Sequence, residues 1–147
     1  MDLFNPPKTF NYKIMIKDLE EKFSLLNKTK GKLPSLPFSD MATDILGKKY
    51  SLSLVFVSEK KSKELNFKYR QKNKAANVLS FPLSDESGEI FICIATAKKQ
   101  AEDFERNWKN FVGFLFIHGC LHLKGYDHSS IMERLEKKYD QKYLSRN

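Results

Sequence analysis

At 147 residues, with 41% hydrophobic and 13% aromatic content, the chain can bury one core of its own, which excludes a disordered or low-complexity protein. Its formal charge of +8 suits a polyanionic partner such as nucleic acid. Only four of its 26 basic residues are arginine, however, and an AT-rich genome raises Lys, Asn and Phe together without any function behind it. No stretch resembles a transmembrane span, and Met1 to Phe10 lacks the apolar centre of a secretory signal. Two cysteines, Cys93 and Cys120, make no disulfide framework, so a reducing cytoplasm is the expected compartment and no membrane is expected as partner.

Taken in order, Met15 to Leu26 reads as an amphipathic helix with Leu19, Phe23 and Leu26 on one face. Gly31 to Pro37 is a loop, and Ser39 is placed to cap a short helix that stops at Gly47. Ser51 to Val57 alternates as a half-buried strand does, with Leu52, Leu54 and Phe56 inward. Ser58 or Ser62 opens a charged helix running to about Gln71, and strands follow at Asn77 to Leu83 and at Ile90 to Ile94, separated by the polar turn Ser84 to Gly88. Thr96 to Glu105 reads as helical. Phe111 to Leu123 predicts a longer apolar helix ended at Gly125, and Ser130 with Glu133 matches the capping box of a last helix to about Leu144. The pattern implies an α/β (α+β) fold over 1–147, a single compact domain in which a small mixed sheet packs with several helices.

The three histidines of the chain all lie within His118 to His128. His118 and His122, four apart on a helix, project from one face. Gly125 lets the chain turn so that His128 can arrive from another direction. Three neutral imidazoles suit one divalent ion, expected to be zinc at one ion per chain, with a coordination position left open as in catalytic sites. Cys120 points to the other side of the helix and reads as a buried apolar residue. The ligand spacing is shared with metzincin peptidases, but the residue after the first histidine is there a water-activating glutamate and here is Gly119, which argues against a peptidase.

The segment His118-Gly119-Cys120-Leu121-His122-Leu123-Lys124-Gly125-Tyr126-Asp127-His128 resembles the signature of the bacterial YbeY-type rRNA-maturation endoribonucleases. Leu65 to Asn73, Asn77 to Pro82, Gly88 to Ile90 and Met132 to Glu136 resemble further blocks of that family, in family order. Asn73, Asn77 and Glu89 stand where the family blocks carry aspartates. The resemblance implies an α/β fold with zinc in a cleft, single-strand-specific cleavage of RNA, and work on the small-subunit rRNA 3′ end and on defective ribosomes. It also maps the family's functional arginine onto Arg70. The implied partners are single-stranded RNA, ribosomal RNA or ribosomal subunits; the oligomeric state is left open.

Arg70 also stands out by its surroundings, in the densest basic segment of an arginine-poor chain, with Lys68, Lys72 and Lys74 as companion RNA contacts. A guanidinium grips a phosphate bidentately and stabilises charge developing on it, so Arg70 is the candidate catalytic residue. The lysines fit a solvated helix face equally well. Asp127 either orients His122 or His128 as an outer acceptor or caps the last helix. Lys124 is either a phosphate contact or a charged helix end. Tyr69 and Phe81 read as core, with stacking on unpaired bases the alternative. A zinc-stabilised RNA-binding ribosome-assembly factor without catalysis is the competing reading of the whole, and hydrolysis of another substrate, peptide included, a third.

Overall fold

A computed structural model describes residues 22–144. Four strands, β1 (Phe23–Asn27), β2 (Ser51–Phe56), β3 (Val78–Ser84) and β4 (Ser87–Ile92), form one sheet in the order β1-β2-β4-β3. β1, β2 and β4 run parallel, and β3 is an antiparallel edge strand hairpinned to β4. The described residues also form five α-helices: α1 (Phe38–Leu46), α2 (Glu59–Arg70), α3 (Ile94–Gln100), α4 (Trp108–Leu123) and α5 (Ser130–Tyr143). This is the mixed-sheet α/β architecture that the sequence predicts.

The inward residues of the central strands are paired across the sheet. Leu54 lies opposite Ile90 and Phe56 opposite Ile92, and all four are fully buried. Against that face lies α4, whose Phe111, Phe116, Ile117, Cys120 and Leu121 are buried as well. A helix apolar nearly all round belongs in the middle of a protein, because no single neighbour could cover it. Here α1 supplies Met41 and Ile45, and α5 supplies Met132 and Tyr139. The helix docks closely on the sheet because Gly119 has no side chain: a Cβ there would stand 2.9 Å from Ser80 Oγ and 3.1 Å from Ile90 Cδ1. Ser80 Oγ donates to the Gly119 carbonyl at 3.3 Å, tying β3 to α4 at the same point.

Several boundaries differ from the sequence expectation. Phe23 to Leu26 is strand rather than helix, its register set by pairing with Leu52 to Val55 of β2, while the earlier part of the expected helix lies outside the described residues. Ser39 caps nothing; α1 starts at Phe38 behind Pro37, with no side-chain cap. Ser58, rather than Ser62, caps α2, accepting from the Lys61 N–H at 3.2 Å. Ile94 opens α3 instead of closing a strand, and the chain from Ala101 to Phe104 tightens into a 3-10 turn. α4 begins three residues early, at Trp108, because Asn107 caps it by accepting from the Asn110 N–H at 2.9 Å. Ser129 rather than Ser130 caps α5, accepting from the Met132 N–H at 3.2 Å.

Tyr69 and Phe81 are not core. Tyr69 is 53% exposed on α2, and its ring lies 5.1 Å from that of half-buried Phe81. Phe81 and its β4 neighbour Phe91 lie on the sheet face opposite α4, which α2 covers only in part.

The close approach at Gly119 has a measurable consequence. Gly119→Ala is expected to lower stability by about 1–3 kcal/mol, the usual cost of overpacking, despite the better helix propensity of alanine. Urea denaturation measures this; an unchanged or raised midpoint would contradict the packing described.

Candidate metal centre

The three histidines come together at one end of α4. Their candidate ligand atoms all lie within 4.8 Å of one another, and His118 Nε2 and His122 Nε2 are 3.0 Å apart. Two ligands of one tetrahedral ion, each bonded at 2.0–2.1 Å, stand about 3.3 Å apart, so these two rings need little movement to share a cation. His128, from the loop after α4, closes the triangle, its ring centroid 5.2 Å from that of His118 and 5.0 Å from that of His122.

Local chain geometry delivers His128. After α4 the chain makes a reversal in which the Gly125 N–H donates to the His122 carbonyl at 3.0 Å and the Tyr126 N–H to the Leu121 carbonyl at 3.1 Å. This paired pattern of the Schellman motif needs a left-handed residue, which Gly125 supplies at φ 106. Nothing crowds a Cβ at Gly125, so the demand for glycine is one of backbone angle alone.

The reversal also fixes a ligand. It brings the Tyr126 carbonyl to 2.9 Å from His122 Nδ1, so that Nδ1–H donates there and Nε2 keeps a bare lone pair for the cation. Burial, and then the neighbouring His118, push the His122 pKa below the ordinary histidine value, with the Tyr126 hydrogen bond opposing. His122 therefore stays neutral, and competent as a ligand, to lower pH than a free histidine.

His118 has its own support, Glu136 of α5, whose Oε1 stands 3.5 Å from His118 Nδ1. A carboxylate behind a ligating imidazole orients the ring and raises its basicity. Glu136 has no sequence signature for this role, because it reaches His118 only through the packing of α5 on α4. Asp127 is exposed and acts on His122 as a nearby charge; the hydrogen bond at His122 Nδ1 goes to Tyr126, and the cap of α5 is Ser129. Cys120 is fully buried, and burial pushes its thiol far above the normal range, so it is no ligand.

The rings open into a cleft of about 400 Å³ lined also by Arg70, Asn77, Val78 and Ser80. Arg70, the last residue of α2, thus faces the same space as the three imidazoles. Lys72 and Lys74 line a cavity that adjoins it across Arg70. Lys68 lines neither; its ammonium sits 5.2 Å from the centre of the Tyr69 ring. Lys124 donates to the Ile45 carbonyl at 2.8 Å, tying α4 to the end of α1. Three imidazoles, two of them braced on their far nitrogens, with solvent access and no further acidic ligand in the group, fit a divalent cation with an open position among the described residues.

The family described as Endoribonuclease YbeY matches over residues 21–145. The chain belongs to the YbeY family. Among its relatives, the endoribonuclease YbeY of Alkaliphilus metalliredigens is 34% identical over 130 residues, covering 81% of this chain and 80% of that one. That of Staphylococcus carnosus is 36% identical over 108 residues, covering 65% of this chain and 71% of the relative. The match to the Phytoplasma australiense protein, 43% identical, spans 58% of this chain and 65% of the relative's length. The solution structure of TM1509 from Thermotoga maritima is similar with a TM-score of 0.58 at 32% identity, over 80% of this chain and 85% of that one.

Two outcomes test the bracing. Glu136→Gln is expected to weaken binding of a divalent metal by about 10–100-fold, as loss of such partners does, without unfolding the chain; competition with a chromophoric chelator measures it. Unchanged affinity would remove Glu136 from the site. In the metal-free protein, the imidazole NMR signals of His122 should titrate below the 6.5 of an ordinary histidine. The folded state then binds its proton less readily than the unfolded one, so this group favours folding above pH 6.5, a contribution lost as pH falls toward the lowered value. Titration at or above the ordinary value contradicts the burial account.

Proposed function

We propose that this protein is a zinc-dependent endoribonuclease that cuts single-stranded RNA at the histidine cleft. In this reading it acts in the cytoplasm on ribosomal RNA, at the small-subunit 3′ end and in ribosome quality control. The observation that carries the proposal is the presence of three convergent imidazoles and one arginine in a single open cleft. Family membership supports the reaction class, and the basic residues beside the cleft support a polyanionic substrate.

His118, His122 and His128 would hold the ion. A bound zinc supplies Lewis-acid stabilisation of phosphate oxygens and makes water more acidic. The Arg70 guanidinium pairs with the non-bridging oxygens of the scissile phosphate and stabilises the negative charge that grows there in the transition state. The Tyr126 carbonyl and Glu136 keep the two helix-borne rings oriented while the substrate enters. Lys72 and Lys74 hold flanking phosphates, and Asp127 adds negative charge near His122 that partly offsets the cation. Ser80, in the cleft wall, already gives its proton to the Gly119 carbonyl.

One observation favours a second reading, a metal-stabilised RNA-binding factor of ribosome assembly. The side chains lining the cleft include no carboxylate to serve as a general base. The two readings separate in one assay with end-labelled single-stranded RNA and zinc-loaded protein. Wild-type protein cleaves; His122→Ala, purified identically, loses the metal and does not. Arg70→Ala keeps the metal and is expected to lose about 10²–10³ in kcat, the usual cost of removing one transition-state donor. Product ends carrying a 2′,3′-cyclic phosphate identify attack by the RNA's own 2′-hydroxyl, and their absence attack by water. Metal-loaded protein that binds RNA without cutting it would overturn the nuclease reading in favour of the assembly factor.

A further inference from the structure

A second cavity, of about 230 Å³, opens on the far side of Arg70 from the histidines. It shares Arg70, Asn77 and Val78 with the histidine cleft, so the two adjoin along these residues. Two kinds of side chain give it a character unlike the cleft. Lys72 and Lys74 supply positive charge, whereas Asn66, Asn77 and Gln100 supply neutral carboxamides.

The cavity wall is fixed by buried polar contacts. Ser62 and Asn66, each 2% exposed, face the chain between α2 and β3. Ser62 Oγ donates to the Ala76 carbonyl at 2.7 Å and accepts from the Ala76 N–H at 2.9 Å. Asn66 Nδ2 donates to the Lys74 carbonyl at 2.9 Å. A helix with so few apolar contacts is thereby held to the segment that carries the two lysines. The clamp leaves a remainder: Asn66 Oδ1 is buried in this wall with no donor among the described residues. Buried acceptors are satisfied in nearly all native structures, and one left over beside a cavity calls for an explanation.

The same cavity carries a paired amide. Asn77 Nδ2 donates to Gln100 Oε1 at 2.8 Å, joining the start of β3 to the end of α3. The bond joins the two side chains while leaving Asn77 Oδ1 as an acceptor and Gln100 Nε2 as a donor. An adjacent donor and acceptor on rigid amides match the edge of a nucleobase, the geometry by which Asn and Gln read bases elsewhere. A simple phosphate site would need only the cations. Bases in single-stranded RNA expose such edges, since no partner strand occupies them.

We propose that this cavity is a nucleotide subsite for the residue next to the scissile phosphate, with Lys72 and Lys74 on its phosphate and the Asn77–Gln100 amide pair, together with Asn66, on its base edge. The proposal rests on the nuclease reading for its place along the RNA, but the binding it describes is read without cleavage. Arg70 then stands between two successive nucleotides, at the boundary of the two cavities. Gln100 has no role in holding the ion, and Asn77 acts on the base rather than on the histidines.

The test uses the full-length zinc-loaded protein labelled with ¹⁵N. The side-chain amide signals of Asn77 and Gln100 are followed while adenosine, cytidine, guanosine and uridine 5′-monophosphates are added in turn, with ribose 5-phosphate and inorganic phosphate as controls. At least one nucleotide is expected to shift both amides saturably, with the controls leaving them unmoved. Gln100→Glu keeps an oxygen for Asn77 and replaces the NH₂ donor by a charged acceptor; it should weaken that nucleotide by about tenfold or more, the scale set by loss of a base-edge contact. Gln100→Ala, checked for intact backbone dispersion, should do the same without adding charge. His122→Ala should leave nucleotide binding in place, which separates this subsite from the metal centre. Equal shifts with ribose 5-phosphate or phosphate would overturn the proposal, since the cavity would then be a basic patch that reads no base. So would the absence of any nucleotide shift, or variants that bind as tightly as wild type. Cleavage of single-stranded RNA by the same sample reports on the nuclease reading independently.

Discussion

The structure turns on the burial of α4. The sheet, α1 and α5 all pack on this helix, and nine of its sixteen residues are buried. Little of its circumference is left for polar side chains, and His118 and His122, both only partly buried, occupy that remainder one turn apart. The rings are consequently positioned by the rigid centre of the protein rather than by a surface loop. Such placement is what a preorganised cation site requires, since ligand positions must hold without reorganisation when the cation arrives.

Gly119 stands where the metzincin peptidases, which share the ligand spacing, carry their water-activating glutamate. A side chain at 119 would run into Ser80 and Ile90 of the sheet. The absence of a side chain at this position lets the helix approach β3. The approach brings Ser80 and Val78 into the cleft wall, and the same edge of the sheet receives Arg70 from the end of α2. Helix packing and site composition are thus two results of one small residue.

What could be read from the sequence follows the range of the interactions involved. The three histidines were legible because helical spacing and a glycine turn are local, and the turn is built as expected, with Gly125 left-handed. Arg70 was legible as an isolated arginine in a lysine-rich stretch, and the cleft includes it. Glu136 was invisible because its contact with His118 depends on how α5 packs. Phe23 to Leu26 carried a helical spacing of apolar residues, yet parallel pairing with β2 makes it a strand. Tyr69 and Phe81 looked like core by residue type, but Tyr69 lies on the exposed side of α2 and packs its ring on half-buried Phe81 of β3, a placement no local pattern contains. The capping box pointed to Ser130, but the hydrogen bond from the Met132 N–H goes to its neighbour Ser129, so the cap lies one residue earlier.

His118, His122 and His128 would hold one divalent cation in the cleft that Arg70 also lines, and every other role at the site depends on it. A crystal structure of the zinc-loaded chain, with anomalous data across the zinc edge, measures this most directly. The expected result is a single strong anomalous peak within bonding distance of His118, His122 and His128, with no fourth protein ligand. A peak elsewhere, or a fourth protein side chain closing the coordination sphere, would contradict it.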